Sequence, residues 1–409
     1  EIPEEWEVTK LKNIIQFING YAFNSNDLST KNEGFPVIRI GDFTNFGIDF
    51  NSANRSTKDV PSISKYLIDI DDILIAMSGG TVGKLSYVNE ISEKAYINQR
   101  VGIIRAKNSK FVYYYLNSGE FLKYIFLLAS GTAQPNISTG NINNYPIVCP
   151  LEVEQQKIAA FLDDKTSQID FIIAKTKQSI EAFKAYKQAL ITQTVTNGLN
   201  PDAKMKDSGI EWIGEIPEHW EKLKVKYASY LKGRIGWQGL TSDEYQNEGP
   251  YLITGKDFDK GSINWNTCTH IAEARYQEAP DIHVKNNDLL ITKDGTIGKV
   301  ALISNLSNSA SLNSGVLLVR KTKELYVEKF LYHVLNSQIF WRWYNLIKSP
   351  NSTILHLYQN DFKDFAYPLP STQEQQQIAD YLDEKCAHID CLISDKQKLI
   401  SELETYKKA

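Results

Sequence analysis

The amino-acid sequence contains an internal repeat, in which the same motifs occur twice in the same order. Residues 1–6, Glu-Ile-Pro-Glu-Glu-Trp, return at 215–220 as Glu-Ile-Pro-Glu-His-Trp, and Gly-Thr-Val-Gly-Lys at 80–84 returns as Gly-Thr-Ile-Gly-Lys at 295–299. Glu-Gln-Gln-Lys-Ile-Ala at 154–159 returns as Glu-Gln-Gln-Gln-Ile-Ala at 374–379. A period of more than 200 residues is far too long for a solenoid repeat. The repeat therefore predicts two homologous domains, each followed by the same kind of segment.

The 409 residues exceed the size at which a single hydrophobic core usually stops growing, which also favours several domains. The boundaries follow prolines that end each domain and a change to helical periodicity after them. We expect an α+β fold with two homologous mixed α/β domains joined by two long antiparallel coiled-coil helices related by a pseudo-twofold axis. The predicted segments are domain 1 at 1–150, helix 1 at 151–197, a linker at 198–214, domain 2 at 215–370 and helix 2 at 371–409.

Inside each domain, short apolar runs alternate with Gly, Asn and Asp turns. The runs Ile-Leu-Ile-Ala at 73–76 and Leu-Leu-Ile at 289–291 predict buried strands. Residues 111–129 and 327–347 carry aromatic side chains at mixed spacing, and each segment is predicted to form one helix. The run Trp-Arg-Trp-Tyr at 341–344 could stack on bases, but packing in the domain core is the favoured interpretation.

Both long helices show a heptad pattern, which indicates a coiled-coil seam. The predicted seam residues are Leu162, Ile169, Phe183 and Leu190 in the first helix and Leu382, Ile389 and Leu403 in the second. Thr176 and Lys396 occupy the same heptad place in the two copies. A polar residue there could fix the register, or the stretch could be solvated, and the sequence leaves both open.

The linker favours an antiparallel helix pair. About 40 helical residues make a rod of roughly 60 Å. A parallel pair would require the 18 residues from 197 to 214 to travel that whole length, which they reach only when fully stretched at about 3.3 Å per residue. An antiparallel pair places no such demand on the linker.

Charge and composition restrict the classes of partner. The formal net charge is −4, and residues 1–150 hold 14 basic and 15 acidic side chains, so bulk charge does not attract nucleic acid. A local basic face remains possible. No apolar run is long enough for a membrane span, and the start has no apolar signal core, so the cytoplasm is expected. Cys386, His388 and Cys391 look metal-like, but residues two apart on a helix face different sides, so we expect core packing and no metal.

The chain resembles the specificity subunit of type I restriction-modification systems. The Ile-Pro-Glu-x-Trp openings, the Gly-Thr-Val/Ile-Gly-Lys turns, the Glu-Gln-Gln-x-Ile-Ala segments and the linker at 205–214, Met-Lys-Asp-Ser-Gly-Ile-Glu-Trp-Ile-Gly, carry this resemblance. It implies that each domain recognises one half of a bipartite double-stranded DNA target. It also implies that the helices set the gap between the half-sites.

The same resemblance implies the partners. Two methyltransferase subunits would bind this chain and methylate adenine at N6 with S-adenosylmethionine, and motor-nuclease subunits would complete the restriction enzyme. This chain would be non-catalytic and would hold no cofactor itself. A self-contained methyltransferase or nuclease is the alternative, although no cofactor loop or catalytic motif is recognisable. A protein-binding scaffold is a third possibility.

The glycine-rich turns supply the first DNA-binding candidates. Neither copy has the first Gly or the final Ser or Thr of a phosphate-binding P-loop, so a nucleotide site is disfavoured. A tight turn between strands is the plain interpretation. The functional one is that the turn also presents hydroxyl and ammonium groups to DNA phosphates. These candidates are Thr81, Lys84, Lys293, Thr296 and Lys299.

Polar loops elsewhere supply the remaining candidates. Asn and Gln can pair with adenine through two hydrogen bonds in the major groove, and Arg and Lys with guanine or phosphate. Solvated loops, or an ion pair between Arg39 and a neighbouring Asp, would look the same in the sequence. The candidates are Arg39, Asn98, Gln99, Arg100, Thr132, Gln134, Asn136, Lys256, Asn313, Asn351 and Ser352.

Overall fold

A computed structural model describes residues 2–29, 33–44, 47–58, 61–129, 135–234, 240–348 and 356–408. The chain divides into two units. The first contains residues 1–176 and 398–409, and the second contains residues 177–397. Each unit holds one domain of the repeat together with parts of both long helices.

The domain of the first unit is built from eleven strands in the described residues. They are β1 (Glu7–Lys10), β2 (Ile15–Asn19), β3 (Phe35–Ile38), β4 (Phe43–Thr44), β5 (Gly47–Ile48), β6 (Asn54–Ser56), β7 (Ile73–Ala76), β8 (Leu85–Tyr87), β9 (Tyr96–Ile97), β10 (Val101–Ala106) and β11 (Pro146–Cys149). The helices are α1 (Ser109–Leu116), α2 (Gly119–Ala129) and α3 (Thr139–Asn143).

The central sheet of this domain has the order β2-β10-β7-β8, and all of its neighbours are antiparallel. A second sheet has the order β6-β3-β9, in which β3 and β9 run parallel. The central strand β7 is buried along its whole length, as its uninterrupted apolar sequence predicts. Helices α1 and α2 contribute to the core on one side of the sheet, and the second sheet contributes to the core on the other.

The domain of the second unit repeats this topology strand for strand. Its strands are β14 (Glu221–Lys224), β15 (Ser229–Gly233), β16 (Gln246–Ile253), β17 (Phe258–Asp259), β18 (Ser262–Ile263), β19 (Thr269–His270), β20 (Leu289–Thr292), β21 (Val300–Leu302), β22 (Ala310–Leu312), β23 (Val316–Lys321) and β24 (Ala366–Leu369). Its helices are α5 (Glu273–Gln277), α6 (Glu328–Leu335), α7 (Gln338–Ile347) and α8 (Gln359–Phe362). The central sheet has the order β15-β23-β20-β21, and the second sheet has the order β19-β16-β22. The linker forms the short strand β12 (Met205–Asp207), which pairs with β13 (Glu215–Pro217).

The prediction of one aromatic-rich helix in each domain is wrong, because each segment forms two helices. The break falls at Asn117-Ser118 in the first domain and at Asn336-Ser337 in the second. The hydroxyl of Ser337 accepts a hydrogen bond from the amide of Ile339 at 3.2 Å and so caps the new helix. The aromatic run in α7 packs in the core as predicted, with Trp343 and Tyr344 buried.

The two long helices are α4 (Glu152–Asn197) and α9 (Thr372–Tyr406). In the second unit, Lys187 on α4 forms an ion pair of 2.6 Å with Asp390 on α9, and Lys396 lies over the ring of Phe183 at 5.7 Å. Because Phe183 precedes Lys187 while Lys396 follows Asp390, the helices run antiparallel, as predicted.

In the first unit, α4 and the end of α9 are joined by an ion pair of 2.6 Å between Asp170 and Lys407. Asp170 is the repeat equivalent of Asp390, and Lys407 is the equivalent of Lys187. An Asp–Lys ion pair therefore joins the two helices in each unit. The aspartate lies on α4 in the first unit and on α9 in the second. This is the pairing expected of two copies of one helix that lie antiparallel.

The predicted seam residues are buried to different degrees. The buried ones are Ile169, Leu382 and Ile389, and the half-buried ones are Leu162, Phe183, Leu190 and Leu403. Of the two polar residues at equivalent heptad places, Thr176 is buried and Lys396 is half-buried. Tyr186 and Tyr406, three residues after Phe183 and Leu403, are exposed.

Candidate nucleic-acid interface

In the first domain, the Gly-Thr-Val-Gly-Lys segment forms a tight turn between β7 and β8. Gly79 and Gly83 have φ angles of 87° and 83°, which side-chain-bearing residues rarely adopt. The amide of Ala76 donates to the carbonyl of Lys84 at 2.9 Å and closes the turn. Thr81 is exposed at its tip.

Two further predicted segments lie against this turn. The amide of Met77 donates to the carbonyl of Arg100 at 2.9 Å, and Ser78 forms a β-bridge with Asn136. Gln99, Arg100 and Asn136 are exposed. These contacts bring side chains from three distant stretches of sequence to one edge of the central sheet. The edge therefore presents amide, hydroxyl and guanidinium groups together.

Two predicted cations of this domain already have partners within the protein. Lys84 donates from Nζ to the carbonyl of Phe43 at 2.9 Å. Arg39 lies 3.7 Å from the Asp42 carboxylate, which also accepts the Arg39 amide at 2.7 Å. The ion-pair interpretation of Arg39 therefore describes this structure, while Arg100 is the more exposed cation at the edge.

The second domain assembles the equivalent edge in the same way. The amide of Lys293 donates to the carbonyl of Gly315 at 2.8 Å, and the amide of Leu357 donates to the carbonyl of Lys293 at 2.9 Å. The backbone amide of Asn313 donates to the carbonyl of Ile253 at 2.9 Å. The exposed candidates at or near this edge are Lys256, Thr296 and Lys299, and the half-buried ones are Lys293 and Asn313.

One pair at this edge was not predicted from the sequence. His356 bonds through Nδ1 to the carboxylate of Asp294, which follows Lys293 in the turn. The ring of Tyr358 lies 4.3 Å from the His356 ring and is largely exposed. The two halves of the Asp294–His356 pair are far apart in sequence, so only the folded chain reveals it. The predicted residues Thr132, Gln134, Asn351 and Ser352 lie outside the described residues.

The repeated Trp and Glu-Gln motifs fasten each domain to its long helix. Trp6 donates from Nε1 to Glu154 at 3.2 Å, and Trp220 donates to Glu374 at 3.0 Å. Each glutamate stands in the first turn of α4 or α9, where a negative charge also interacts favourably with the helix dipole. These motifs therefore position each domain on its long helix.

The glutamine that follows each of these glutamates strengthens the junction. Gln375 is fully buried, accepts the amide of Val327 at 2.8 Å and donates to the carbonyl of Pro370 at 2.9 Å. Gln155 donates to the carbonyl of Pro150 at 2.8 Å and accepts from Asn108 at 3.0 Å. Both amides satisfy polar groups that would otherwise be unpaired where a strand turns into the helix.

An aspartate eight residues further along each helix, about two turns, binds the first aromatic helix of its domain. Asp163 accepts from Tyr114 at 2.7 Å and pairs with Lys110. Asp383 pairs with Lys329 at 2.6 Å and bonds to the buried His333 at 2.9 Å. The hydrogen bond with His333, together with Lys329, holds the pKa of Asp383 at about 2, against the opposing effect of burial.

Within the described ranges, no group of three or more His, Cys, Asp or Glu side chains could hold a metal ion. No helix of those ranges combines the length and apolar character that a membrane crossing needs.

Comparison with known proteins places the chain in a family. The sequence profile of the Type I restriction modification DNA specificity domain matches residues 3–182 and 239–404. The type I restriction enzyme MjaVIII specificity subunit of Methanocaldococcus jannaschii is 30% identical over 419 residues, covering 100% of this chain and 91% of that protein. The EcoBI specificity subunit of Escherichia coli is 24% identical over 398 residues, covering 96% and 81%.

Solved structures share the fold. A chain from a type I R-M system, solved in work on complex assembly and conformational transition, superposes with a TM-score of 0.75 at 16% identity and covers 100% of this chain and 97% of its own length. The HsdS subunit of Thermoanaerobacter tengcongensis gives a TM-score of 0.57 at 16% identity, with coverage of 100% and 96%. With two turn-bearing domains and paired long helices, the chain belongs to the family of DNA specificity subunits of type I restriction-modification systems, whose role is sequence recognition and not catalysis.

Proposed function

We propose that each domain recognises one half of a bipartite double-stranded DNA target with the edge that carries its glycine-rich turn. The observation that supports this most is that both domains gather polar side chains from several distant segments at the same edge of the central sheet. Such an edge can combine contacts to phosphates, which position the protein, with contacts to bases, which specify the sequence.

The chemistry of the edges suggests which contacts each side chain makes. In the first domain, Arg100 suits a guanine and Gln99 or Asn136 suits an adenine, because these side chains can form two hydrogen bonds with one base. In the second domain, Lys293 and Lys299 suit phosphate oxygens. Thr81 and Lys84 recur as Thr296 and Lys299. The second edge instead has Lys293, Gly315 and His356 where the first has Met77, Arg100 and Asn136, so the two half-sites are expected to differ in sequence.

The partners follow from the same proposal. Two methyltransferase subunits would bind this chain and carry S-adenosylmethionine, and motor-nuclease subunits would join them in the complete restriction enzyme. The long antiparallel helices would set the gap between the half-sites. The complex would act on DNA in the cytoplasm.

A domain replacement tests whether each domain recognises one half-site. Residues 1–150 are exchanged for the same domain of a relative, and methylated adenines are mapped in cells that also hold the methyltransferase subunit. We expect one half-site to change while the other half-site and the gap stay the same. The matched control exchanges residues 215–370 and should change only the other half-site. A change in both half-sites after either exchange would contradict the proposal, as would a single contiguous footprint.

A further inference from the structure

The side of α4 that faces away from the domain in the first unit carries large apolar side chains. Val153, Phe161 and Phe171 are 61%, 60% and 64% exposed. Phe171 stands two residues from both Ile169 and Ile173, which are buried, and a step of two residues turns a helix by roughly 200°. Val153 lies five full turns before Phe171 and so falls on the same outward side. We call Val153, Phe161 and Phe171 the outer face of α4.

The equivalent positions on α9 are more polar. Gln373 replaces Val153 and Cys391 replaces Phe171, while Tyr381 keeps the aromatic ring of Phe161. Both aromatic rings have a lysine one turn later, Lys165 and Lys385, each with Nζ 5.7 Å from the ring centroid. The two helices thus share one aromatic–lysine pair, and α4 adds two apolar contacts that α9 lacks.

Charge differs in the same direction. Exposed Lys157, Asp164 and Lys175 lie on the same side of α4 as the outer face. On α9, Gln377 and Asp395 replace the two lysines, whereas Glu384 keeps the acidic group of Asp164. An exposed apolar stripe beside lysines matches an amphipathic helix with acidic flanks. A protein that binds both helices through the aromatic–lysine pair they share would bind this chain twice, with fewer apolar contacts on α9. In the proposed function only the methyltransferase subunit does so.

We propose that the two methyltransferase docking faces are unequal and that the outer face of α4 is the tighter one. Assembly then passes through a complex with a single methyltransferase subunit, held on α4 by an acidic amphipathic helix. This inference rests on the proposed function. It adds an order of binding that the repeat by itself does not require.

The test uses two variants, one that makes the outer face of α4 resemble α9 and one that makes α9 resemble the outer face of α4. Methyltransferase subunit is titrated into the full chain, and complexes are counted by native mass spectrometry. We expect the wild-type chain to bind the second subunit about tenfold or more weakly than the first, since central aromatic contacts dominate interface affinity. The double variant V153Q/F171S should weaken the first step several-fold and leave the two steps separated only by the factor of about four that two equal, independent sites give statistically. The matched variant Q373V/C391F should strengthen the second step instead.

The remaining outcomes overturn the inference in distinguishable ways. Binding steps that differ only by this statistical factor in the wild-type chain, or unchanged steps in V153Q/F171S, would contradict unequal docking while leaving DNA recognition intact. Self-association of the free chain that V153Q/F171S abolishes would assign the face to a second copy. A wild-type chain that binds no methyltransferase would overturn the proposed function as well. All four positions are exposed, so unchanged thermal unfolding is the control for folding.

Discussion

The two domain–helix junctions use the same plan, but the second is more deeply buried. Trp220 and Gln375 are inaccessible to solvent, whereas their equivalents Trp6 and Gln155 are half-buried. In the second unit, the end of α4, the start of α9 and the domain share one core, to which Val195 contributes. We therefore expect the same motif to stabilise the second junction more than the first, because its contribution depends on how completely the surrounding residues exclude water.

The largest difference should appear at the tryptophans. Trp220→Ala is expected to lower the free energy of unfolding of the second unit by about 3–5 kcal/mol, because it leaves a cavity and removes the Nε1 hydrogen bond to Glu374. Trp6→Ala should cost about 1 kcal/mol, mainly its hydrogen bond to Glu154. Urea unfolding of both variants measures the difference. Equal losses would show that burial does not separate the two junctions.

A smaller difference is expected at the aspartates. Asp383→Ala leaves the buried His333 without the only hydrogen bond that its ring makes among the described residues, and should cost about 2–3 kcal/mol. Asp163→Ala should cost about 1 kcal/mol, because Tyr114 keeps its contact with Thr166 at 3.1 Å. Unfolding of the two variants at neutral pH gives the comparison.

The pKa of Asp383 gives this difference a pH dependence. Its folded pKa of about 2 lies below the unfolded value of about 3.9, so its contribution is present above pH 4 and is lost as the pH falls towards 2. Asp383→Ala should therefore remove part of the acid sensitivity of the second unit. A variant with an unchanged acid unfolding profile would show that the carboxylate does not stabilise this junction.

The smallest effects are expected at the lysines of the two turns. Lys299 is exposed, and its distance to the carbonyl of Gly255 is a long 3.4 Å. Lys299→Ala should therefore weaken DNA binding several-fold and lower the slope of log affinity against log salt concentration by about one. Lys84 already donates to Phe43, and Lys84→Ala should change the salt slope less. Binding measured over a range of salt concentrations separates them. A larger slope change for Lys84 would contradict the assignment.

Much of the architecture follows from the sequence because duplication and heptads are long-range patterns. The seam residue Ile169 and the strand at 73–76 are examples, because their apolar side chains in these patterns predict burial and the structure buries them. The break at Ser337 was missed because apolar periodicity conceals a local cap. It could have been found, because an Asn-Ser pair occupies the same place in both copies.

The side-chain pairing at the candidate edges could not be predicted. Lys84 and Phe43 lie 41 residues apart, and His356 and Asp294 lie 62 apart. Sequence identifies which residue types can contact DNA, but not which of them are already satisfied by a distant carbonyl or carboxylate. The fold decides that Arg39 is paired whereas Arg100 is exposed.

Lengthening the helix pair tests most directly whether the helices fix the distance between two DNA-reading domains. The Asp170–Lys407 pair places Glu402 level with Lys175, so four residues inserted near both positions lengthen α4 and α9 together by about 6 Å. Methylated sites are then mapped in the presence of the methyltransferase subunit. We expect the same two half-sites separated by a gap that is roughly one to two base pairs longer. An unchanged gap with full methylation would contradict the account.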